Sequence, residues 1–255
     1  VRAPSKYYRN NVAHTLTLLD AMRAAQVQRL IFSSTAAVYG EPLAVPIPEA
    51  HACAPINPYG RSKWMVEQIL QDHCAAYGLH ATSLRYFNAA GADPDGRLGE
   101  RHEPETHLIP RVLRAALHGT PLSLYGDDYA TADGTCVRDY VHVADLCTAH
   151  WLALTLDRPG YRAFNLGNST GFSVREVIRA AEQVSSRRVR VQLQARRDGD
   201  PAVLVADARA ARAELGWRPQ LSGLEQIVGD AWRWLQRGPA RHTHHADTAE
   251  TLTHT

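Results

Sequence analysis

Apolar positions along the chain follow two spacings, one typical of helices and one typical of buried strands. Residues 10–25 carry apolar side chains between Val12 and Met22 on one stripe, which predicts an amphipathic helix. Residues 29–34 form a short apolar run that ends in small hydroxyl residues, as in a buried parallel strand. Further strands are predicted at 81–88, 122–126, 137–143, 161–166 and 188–193, and further helices at 59–78, 109–117, 144–156, 173–184, 208–215 and 224–235. This alternation predicts an α/β fold with a parallel sheet and helical crossovers.

The carboxyl end of the first predicted strand carries the hydroxyl side chains of Ser33, Ser34 and Thr35. Ligands of open parallel sheets bind outside the carboxyl ends of the strands, so these hydroxyls are well placed to contact a substrate. A turn in which serine and threonine satisfy their own backbone groups explains the same residues at least as well. Both interpretations stay open from this segment alone.

Tyr59 and Lys63 lie four residues apart at the start of a predicted helix, directly after Pro58. This spacing places both side chains on one face, about one turn apart. Because a nearby ammonium favours phenolate, we expect the pKa of Tyr59 to be lowered so that it acts as a base near neutral pH. In isolation the spacing is more typical of an amphipathic surface pair. With Thr35 on the preceding strand, it predicts a hydroxyl, a phenol and an ammonium around one substrate hydroxyl.

The composition is that of an ordinary globular chain. Of its 255 residues, 45% are hydrophobic and 21% are charged, and the net charge of +2 gives no electrostatic basis for binding nucleic acid or an anionic membrane. No apolar run approaches the roughly 18 residues that a membrane span needs, and no secretory signal is visible. The four cysteines contain no C-x-x-C pair, so we expect reduced thiols and a cytoplasmic location.

The end of the chain is polar, and residues 239–255 predict a disordered tail. Four of the thirteen histidines lie in this tail: His242, His244, His245 and His254. A solvated run explains them better than a metal site does, and we predict no metal site in this sequence.

Seven segments, taken in order, carry a resemblance to a known family. They are residues 10–12 (NNV), 32–40 (FSSTAAVYG), 57–63 (NPYGRSK), 84–88 (LRYFN), 134–146 (GTCVRDYVHVADL), 165–167 (NLG) and 196–201 (RRDGDP). The chain resembles the extended short-chain dehydrogenase/reductases and, among them, the UDP-glucose (UDP-galactose) 4-epimerase family, as far as about Gln236. The resemblance implies an α/β fold, an incomplete Rossmann-type doubly wound parallel sheet with a smaller α/β substrate-binding domain.

The resemblance also implies a division of the chain. Residues 1–88 are the remaining part of an NAD-binding Rossmann domain, to which 139–170 return. Residues 89–138 and 171–238 form the UDP-sugar-binding domain. A homodimer packed through the helices that contain Asn10 and Tyr59 is implied as well.

Site residues follow from the matched positions. The resemblance implies that Tyr59 is the catalytic base, that Lys63 assists it and holds the nicotinamide ribose, and that Thr35 hydrogen-bonds the reacting hydroxyl. The other implied residues are Asn10 and Phe87 for NAD, and Asn88, His107, Arg138, Arg197 and Asp200 for the UDP-sugar. Guanidinium groups suit a diphosphate, although surface ion pairs with nearby aspartates explain the arginines equally well without the resemblance.

The implied reaction is a reversible oxidation at the sugar C4. Tyr59 takes the hydroxyl proton while hydride passes to NAD, and the 4-keto sugar then rotates and takes hydride back on its other face. Ala36 and Ala37 follow Thr35 where dehydratases of the family place an acid pair, and a methyl group cannot transfer a proton, which disfavours dehydration. Leu204 lies at a position linked to tolerance of N-acetylated sugars, so a UDP-GlcNAc/GalNAc epimerase stays an alternative.

The glycine-rich turn that receives the dinucleotide pyrophosphate in this family is not found in the sequence. Aligned by its motifs, the chain starts inside the family pattern, and we expect the 255-residue chain to bind NAD weakly or not at all. Three interpretations remain: a UDP-glucose 4-epimerase, an epimerase of another nucleotide sugar such as a UDP-pentose, or an inactive truncated remnant that binds nucleotide sugars.

Overall fold

The computed structural model describes residues 3–197 and 199–237, and the predicted tail 239–255 lies outside them. The helices are α1 (Pro4–Tyr7), α2 (His14–Ala24), α3 (Pro58–Tyr77), α4 (Leu108–His118), α5 (Val143–Thr155), α6 (Val174–Ser185), α7 (Arg209–Glu214) and α8 (Leu224–Gln236). The strands are β1 (Arg29–Thr35), β2 (His80–Tyr86), β3 (Asn88–Ala90), β4 (Leu122–Tyr125), β5 (Val137–His142), β6 (Tyr161–Leu166), β7 (Gly171–Ser173), β8 (Val191–Gln194) and β9 (Val203–Leu204). None of these helices combines the length and apolar character needed to span a membrane.

Strands β1, β2 and β6 form a parallel sheet in the order β1-β2-β6. Ser34 pairs with Arg85 and Thr35 with Tyr86, so β1 and β2 end at the same edge. Helix α3 is the crossover that two parallel neighbours require. Leu30 packs with α2 and α3, while Ile31 packs with the cluster around α5, so helices cover both faces. The predicted parallel α/β arrangement is confirmed.

The chain leaves this sheet at Phe87, which divides the predicted strand 81–88 in two. β2 ends at Tyr86, and β3 begins at Asn88 and pairs with β5. The Phe87 N–H donates to the carbonyl oxygen of Leu166 at 3.2 Å. β5 also pairs with β7 and β9, two short strands that the apolar pattern did not predict. β4 and β8 form a separate parallel pair.

Helix ends follow their local sequence closely. The Asn57 side chain accepts the Gly60 N–H at 2.9 Å at the start of α3, where Pro58 occupies the first turn. Gly78 ends α3 with a φ of +69°, which glycine adopts without steric cost. Helix α6, predicted from residue 173 onward, starts with a capping box in which Ser173 and Glu176 bond each other's backbone N–H.

The first helical region is longer and less regular than predicted. It runs from α1 through a π-helical segment, Tyr8–Ala13, into α2. Of its predicted apolar stripe, Leu19 and Met22 are buried, whereas Leu16 is 42% exposed. Val12 is partly buried and packs against the same cluster as Leu19 and Met22, so Leu16 is the member of the stripe that the core leaves exposed.

Apolar side chains fall into separate clusters. The largest one joins α4, α6 and α8 to β4 and β5. A second packs α5 and α7 against β2 and β6, and it includes Trp217 and Phe164. Trp217 thus packs in the cluster of the three-stranded sheet although it belongs to the segment 171–238 of the predicted UDP-sugar-binding domain. The domain boundaries stay a prediction.

A buried carboxylate fixes α3 to the sheet. Glu67 has no exposed surface and accepts three hydrogen bonds from Arg85, the Nη2–Oε2 distance being 2.5 Å. It also accepts the Ser34 hydroxyl at 2.5 Å and the Tyr161 hydroxyl at 2.9 Å. These bonds join α3 to β1, β2 and β6 at once. Removing one partner of such a pair leaves the other charge buried and unpaired.

We therefore expect Glu67→Ala to lower the free energy of unfolding by about 3–5 kcal/mol. Glu214→Ala is the matched control, because it removes an exposed pair with Arg158 and should cost under about 1 kcal/mol. Urea denaturation followed by tryptophan fluorescence measures both. Similar losses in the two variants would contradict the role given to Glu67.

Candidate active site

A cleft of about 1410 Å³ opens at the carboxyl ends of β1 and β2 and extends along α4 and β5. Its lining includes eight predicted site residues: Thr35, Tyr59, Phe87, Asn88, His107, Arg138, Arg197 and Asp200. Lys63 and Asn10 do not line it. Lys63 lies one turn beyond Tyr59 on α3, and Asn10 is exposed on the π-helical segment. Residues far apart in the sequence therefore share one cavity.

Tyr59 lies in the first turn of α3, next to the end of β1. Its hydroxyl is hydrogen-bonded to the Thr35 side chain. Thr35 Oγ1 also accepts the Ala37 N–H at 3.2 Å and so caps the short turn Ala36–Val38. Tyr59 remains 38% exposed and can be reached from the cleft. The structure thus brings this hydroxyl and this phenol together.

The Lys63 ammonium lies close to both residues but is bonded to the backbone. Its Nζ donates to the Ser33 carbonyl oxygen at 2.8 Å and lies 4.8 Å from the centre of the Phe32 ring. The distance from Nζ to the centre of the Tyr59 ring is 5.9 Å. Burial lowers the pKa of Lys63. An ammonium carries three donors, and the Ser33 carbonyl uses one of them.

The predicted lowering of the Tyr59 pKa is wrong for this structure. Burial raises the pKa of Tyr59, and the hydrogen bond to Thr35 offsets only part of that effect. The Lys63 ammonium, 5.9 Å from the centre of the Tyr59 ring, does not reverse this rise in the pKa. In this state Tyr59 is therefore a neutral phenol at pH 7.

Of the arginines that line the same cleft, Arg138 and Arg197 are the two predicted substrate contacts. Arg138 on β5 forms an ion pair with Asp200, and its Nη1 donates to the Val137 carbonyl oxygen at 2.7 Å. The Arg197 guanidinium lies 4.0 Å from the centre of the Tyr125 ring, and its hydrogen bond lowers the pKa of Tyr125. An ion pair with a nearby aspartate, which was the other explanation of these arginines, is therefore present for Arg138. Such a pair of planar cations suits an anion with several oxygens.

Asn88 and His107 line the cleft, and each is also bonded within the protein. Asn88 Nδ2 donates to the carbonyl oxygen of Asp139 at 2.8 Å, which leaves its Oδ1 available. His107 is the N-cap residue of α4. Its Nδ1 lies 3.1 Å from Glu105 Oε1 and 3.2 Å from Glu100 Oε1. The His107 ring is thus turned toward two carboxylates.

Asp139 is a residue that the sequence analysis did not single out. Its buried carboxylate accepts the backbone N–H groups of Asn168 at 2.8 Å and of Ser169 and Ala206 at 3.1 Å. Burial raises the pKa of Asp139 to about 6 in spite of these bonds. The carboxylate joins β5 to the loops beside it and so supports the strand that carries Arg138. The sequence signal that could have identified Asp139 was a carboxylate inside the predicted strand 137–143.

The sequence profile of the NAD dependent epimerase/dehydratase family matches residues 1–167, which contain Thr35, Tyr59 and Lys63. The chain belongs to this family. Its members include proteins that match nearly the whole chain, and the resemblance stated from the motifs is confirmed.

Individual family members are similar to this chain over most of their own length. The UDP-glucose 4-epimerase of Halalkalibacterium halodurans is 49% identical over 242 residues, which are 94% of this chain and 72% of that protein. The structure of UDP-glucose 4-epimerase from Brucella ovis in complex with NAD has a TM-score of 0.89 and 50% identity, covering 91% of this chain and 73% of that one. The Bifidobacterium longum enzyme in complex with NAD+ and UDP has a TM-score of 0.88 and 40% identity, covering 94% and 72%. The Rossmann-like fold expected from the resemblance is thereby confirmed.

The pKa values of Tyr59 and Tyr125 in the cleft are shifted in opposite directions, and both can be measured. We expect Tyr125 to titrate below pH 10, because Arg197 stabilises its phenolate, and Tyr59 to titrate above pH 10, because the protein around its side chain partly removes water from the phenolate. NMR of chain labelled with ¹³C at tyrosine Cζ reports both, with Tyr59→Phe and Tyr125→Phe to assign the signals. Arg197→Gln should return the pKa of Tyr125 toward 10 and leave the pKa of Tyr59 unchanged. A lower pKa for Tyr59 than for Tyr125 would contradict this prediction.

Proposed function

We propose that this chain interconverts UDP-glucose and UDP-galactose by transient oxidation of the sugar at C4, with NAD as cofactor. The observation that carries the proposal is the contact of Thr35 with Tyr59 in the same cleft as Arg138 and Arg197. A proton-transfer site and an anion site in one cavity suit a substrate that joins a sugar to a diphosphate. The 49% identity to a UDP-glucose 4-epimerase over 94% of the chain favours this reaction over the alternatives.

The surroundings of Lys63 suit the nicotinamide end of NAD. The Ser33 carbonyl uses one donor of the ammonium, so the others are free for ribose hydroxyls. Phe87 lines the cleft beside Tyr59, and we assign Asn10 as a further contact. Within residues 3–197 and 199–237 no glycine-rich turn joins a strand to a helix, so no residues are assigned to the pyrophosphate. Bound NAD supplies a hydride acceptor and donor, with a positive charge on its oxidised ring.

Tyr59 holds the proton that moves in the reaction. Burial keeps its phenol neutral in the free chain, and the cationic groups that favour its phenolate are Lys63 and the oxidised cofactor. Thr35 bonds the phenol and can bond the sugar 4-hydroxyl at the same time, since a hydroxyl both donates and accepts. Ala36 and Ala37, which follow Thr35, have no proton to give to a leaving hydroxyl, so dehydration is disfavoured.

The diphosphate is the proposed anchor of the substrate. Arg138 and Arg197 provide planar donors to its oxygens, and Asp200 orients Arg138 through their ion pair. Asn88 and His107 add further hydrogen-bonding groups. Because the sugar must present both faces to the cofactor, the nucleotide must account for most of the binding free energy.

Two variants separate the proton-transfer site from the anion site. Tyr59→Phe should reduce turnover of UDP-galactose by about 10²–10⁴-fold, because the proton acceptor is lost. Arg197→Gln should weaken UDP binding by about 10–100-fold, because charge-assisted hydrogen bonds are lost. Calorimetry with UDP measures the second effect on the 255-residue chain alone. Turnover is measured with NAD and with a glycine-rich dinucleotide-binding unit of a family member supplied as a second polypeptide.

Arg158→Gln is the matched control, because Arg158 forms an exposed ion pair with Glu214, and it should change neither quantity. A folded chain that fails to bind UDP would contradict the proposed substrate class. Turnover of UDP-GlcNAc without turnover of UDP-galactose would favour the N-acetylated pair, for which Leu204 is the residue to vary.

We also propose a homodimer packed through α2 and α3. Leu19 and Met22 of α2 pack in one cluster with Val66 and Leu70 of α3. The π-helical segment before α2 also contacts α3, with Asn11 Nδ2 donating to Ser62 Oγ at 2.8 Å. They expose large apolar side chains: Leu16 is 42%, Leu18 50% and Met65 42% exposed. Burial of such side chains against a second copy would stabilise the pair.

Leu18→Glu combined with Met65→Glu should therefore shift the chain from dimer to monomer in light scattering, because it places charges in the proposed contact. Leu43→Glu is the control, since Leu43 is 92% exposed and lies on neither helix, and it should leave the dimer intact. A dimer that survives the double change would locate the contact elsewhere.

The proposed location of this activity is the cytoplasm. Cys53, Cys74, Cys136 and Cys147 are free thiols in the structure. A chain with unpaired cysteines suits a reducing compartment, where disulfides are rare.

A further inference from the structure

Three side chains that can bind a metal ion converge at the exposed rim of the cleft. They are Glu100, His102 and His107, whose ligand atoms all lie within 4.8 Å of one another. His107 Nδ1 lies 3.2 Å from Glu100 Oε1, and His102 Nδ1 lies 4.0 Å from the same oxygen. The two imidazole rings are stacked, with 5.5 Å between their centres. Two nitrogens and one oxygen therefore surround a common point.

These separations suit a small tetrahedral ion. Zinc binds imidazole nitrogen and carboxylate oxygen at about 2.0–2.2 Å, which places neighbouring ligand atoms about 3.3–3.5 Å apart. The separation of His107 Nδ1 from Glu100 Oε1, 3.2 Å, is close to this value. The His102 nitrogen, at 4.0 Å, has to move by less than about 1 Å, and its side chain is exposed. Two histidines and one glutamate, with water in the fourth position, form a known class of zinc site.

Helix α8 fixes the backbone of the first ligand. The Trp234 indole donates its Nε1–H to the Glu100 carbonyl oxygen at 3.0 Å. Gly99 packs against the same indole so closely that an added Cβ would lie 2.4 Å from the ring. Glu100 is therefore held at a defined place over α8, although its carboxylate is exposed.

Helix α4 fixes the other two ligands. Arg114 donates to the His102 carbonyl oxygen at 3.4 Å and forms an ion pair with Glu103 at 3.0 Å. His107 is the N-cap residue of the same helix. The three ligands thus belong to one loop that is attached to two helices. Supported ligands of this kind lose less conformational freedom when they bind an ion.

Glu105 adds negative charge next to the imidazole of His107. Its side chain is 4% exposed and accepts the backbone N–H groups of Thr106 and His107 at 2.8 Å each. Its Oε1 lies 3.1 Å from His107 Nδ1, so this carboxylate group is placed to favour a cation beside His107.

We propose that Glu100, His102 and His107 bind one Zn²⁺ ion at the rim of the cleft. The ion takes the place of the hydrogen that His107 Nδ1 shares with the neighbouring carboxylates, so the imidazole binds it in the tautomer that carries its hydrogen on Nε2. The bound ion ties the loop around Glu100 to the start of α4. The site shares His107 with the proposed substrate contacts, but zinc binding by the free chain can be measured without substrate or NAD.

The test uses the full 255-residue chain and zinc chloride alone. The tail histidines also offer imidazoles, so the background variant carries Gln in place of His242, His244, His245 and His254. Equilibrium dialysis with elemental analysis should give one zinc per chain. His102→Ala and Glu100→Gln, made singly in this background, should each weaken binding at least tenfold. At a zinc concentration about 100-fold above Kd, the background variant should gain roughly 5 °C in Tm.

His118→Ala is the matched control, because His118 is an exposed histidine at the other end of α4. It should bind zinc as the background variant does. Circular dichroism checks that every variant is folded. A background variant that binds no zinc at 100-fold excess over protein would overturn the proposal, and so would unchanged affinity in the His102→Ala variant.

Discussion

The structure depends on the buried carboxylate of Glu67. Five hydrogen bonds from Ser34, Arg85 and Tyr161 meet on it, so one side chain joins α3 to all three strands of the main sheet. Lys63 lies one turn before Glu67 on the same helix. The positions of Tyr59 and Lys63 therefore depend on the buried ion pair between Glu67 and Arg85. A rotation of α3 would break that pair and separate Tyr59 from the end of β1.

The cleft exists because the chain changes sheets at Phe87. Up to Tyr86 the strand belongs to the parallel sheet, and from Asn88 onward it pairs with β5. Ligands of α/β proteins bind where strand connections diverge, and this break creates such a place. Arg138 reaches the cleft from β5, whose position is supported by the bonds that Asp139 accepts from neighbouring loops. One cavity thus receives groups from two sheets.

Local sequence determined most element types and several boundaries. Pro58 and Gly78 bound α3 as expected, and the capping box at Ser173 starts α6, because each acts on the backbone next to it. The short strands β7 and β9 were missed because two or three residues carry no usable periodicity, and both exist only through pairing with β5. The pKa of Tyr59 was misjudged for a related reason. Spacing along a helix predicts proximity to Lys63 but not burial, and not the Ser33 carbonyl that takes the ammonium.

The sequence by itself determined the α/β class, the family and the pairing of Tyr59 with Lys63, since these follow from periodicity and from contiguous motifs. Only the tertiary structure decided which distant residues share a cavity. Arg197 stacks on Tyr125 across the cleft, and Glu100, His102 and His107 meet at its rim through contacts with α4 and α8. The reason is physical: propensities and caps act over a few residues, whereas burial, charge and ligand geometry depend on segments that only packing brings together.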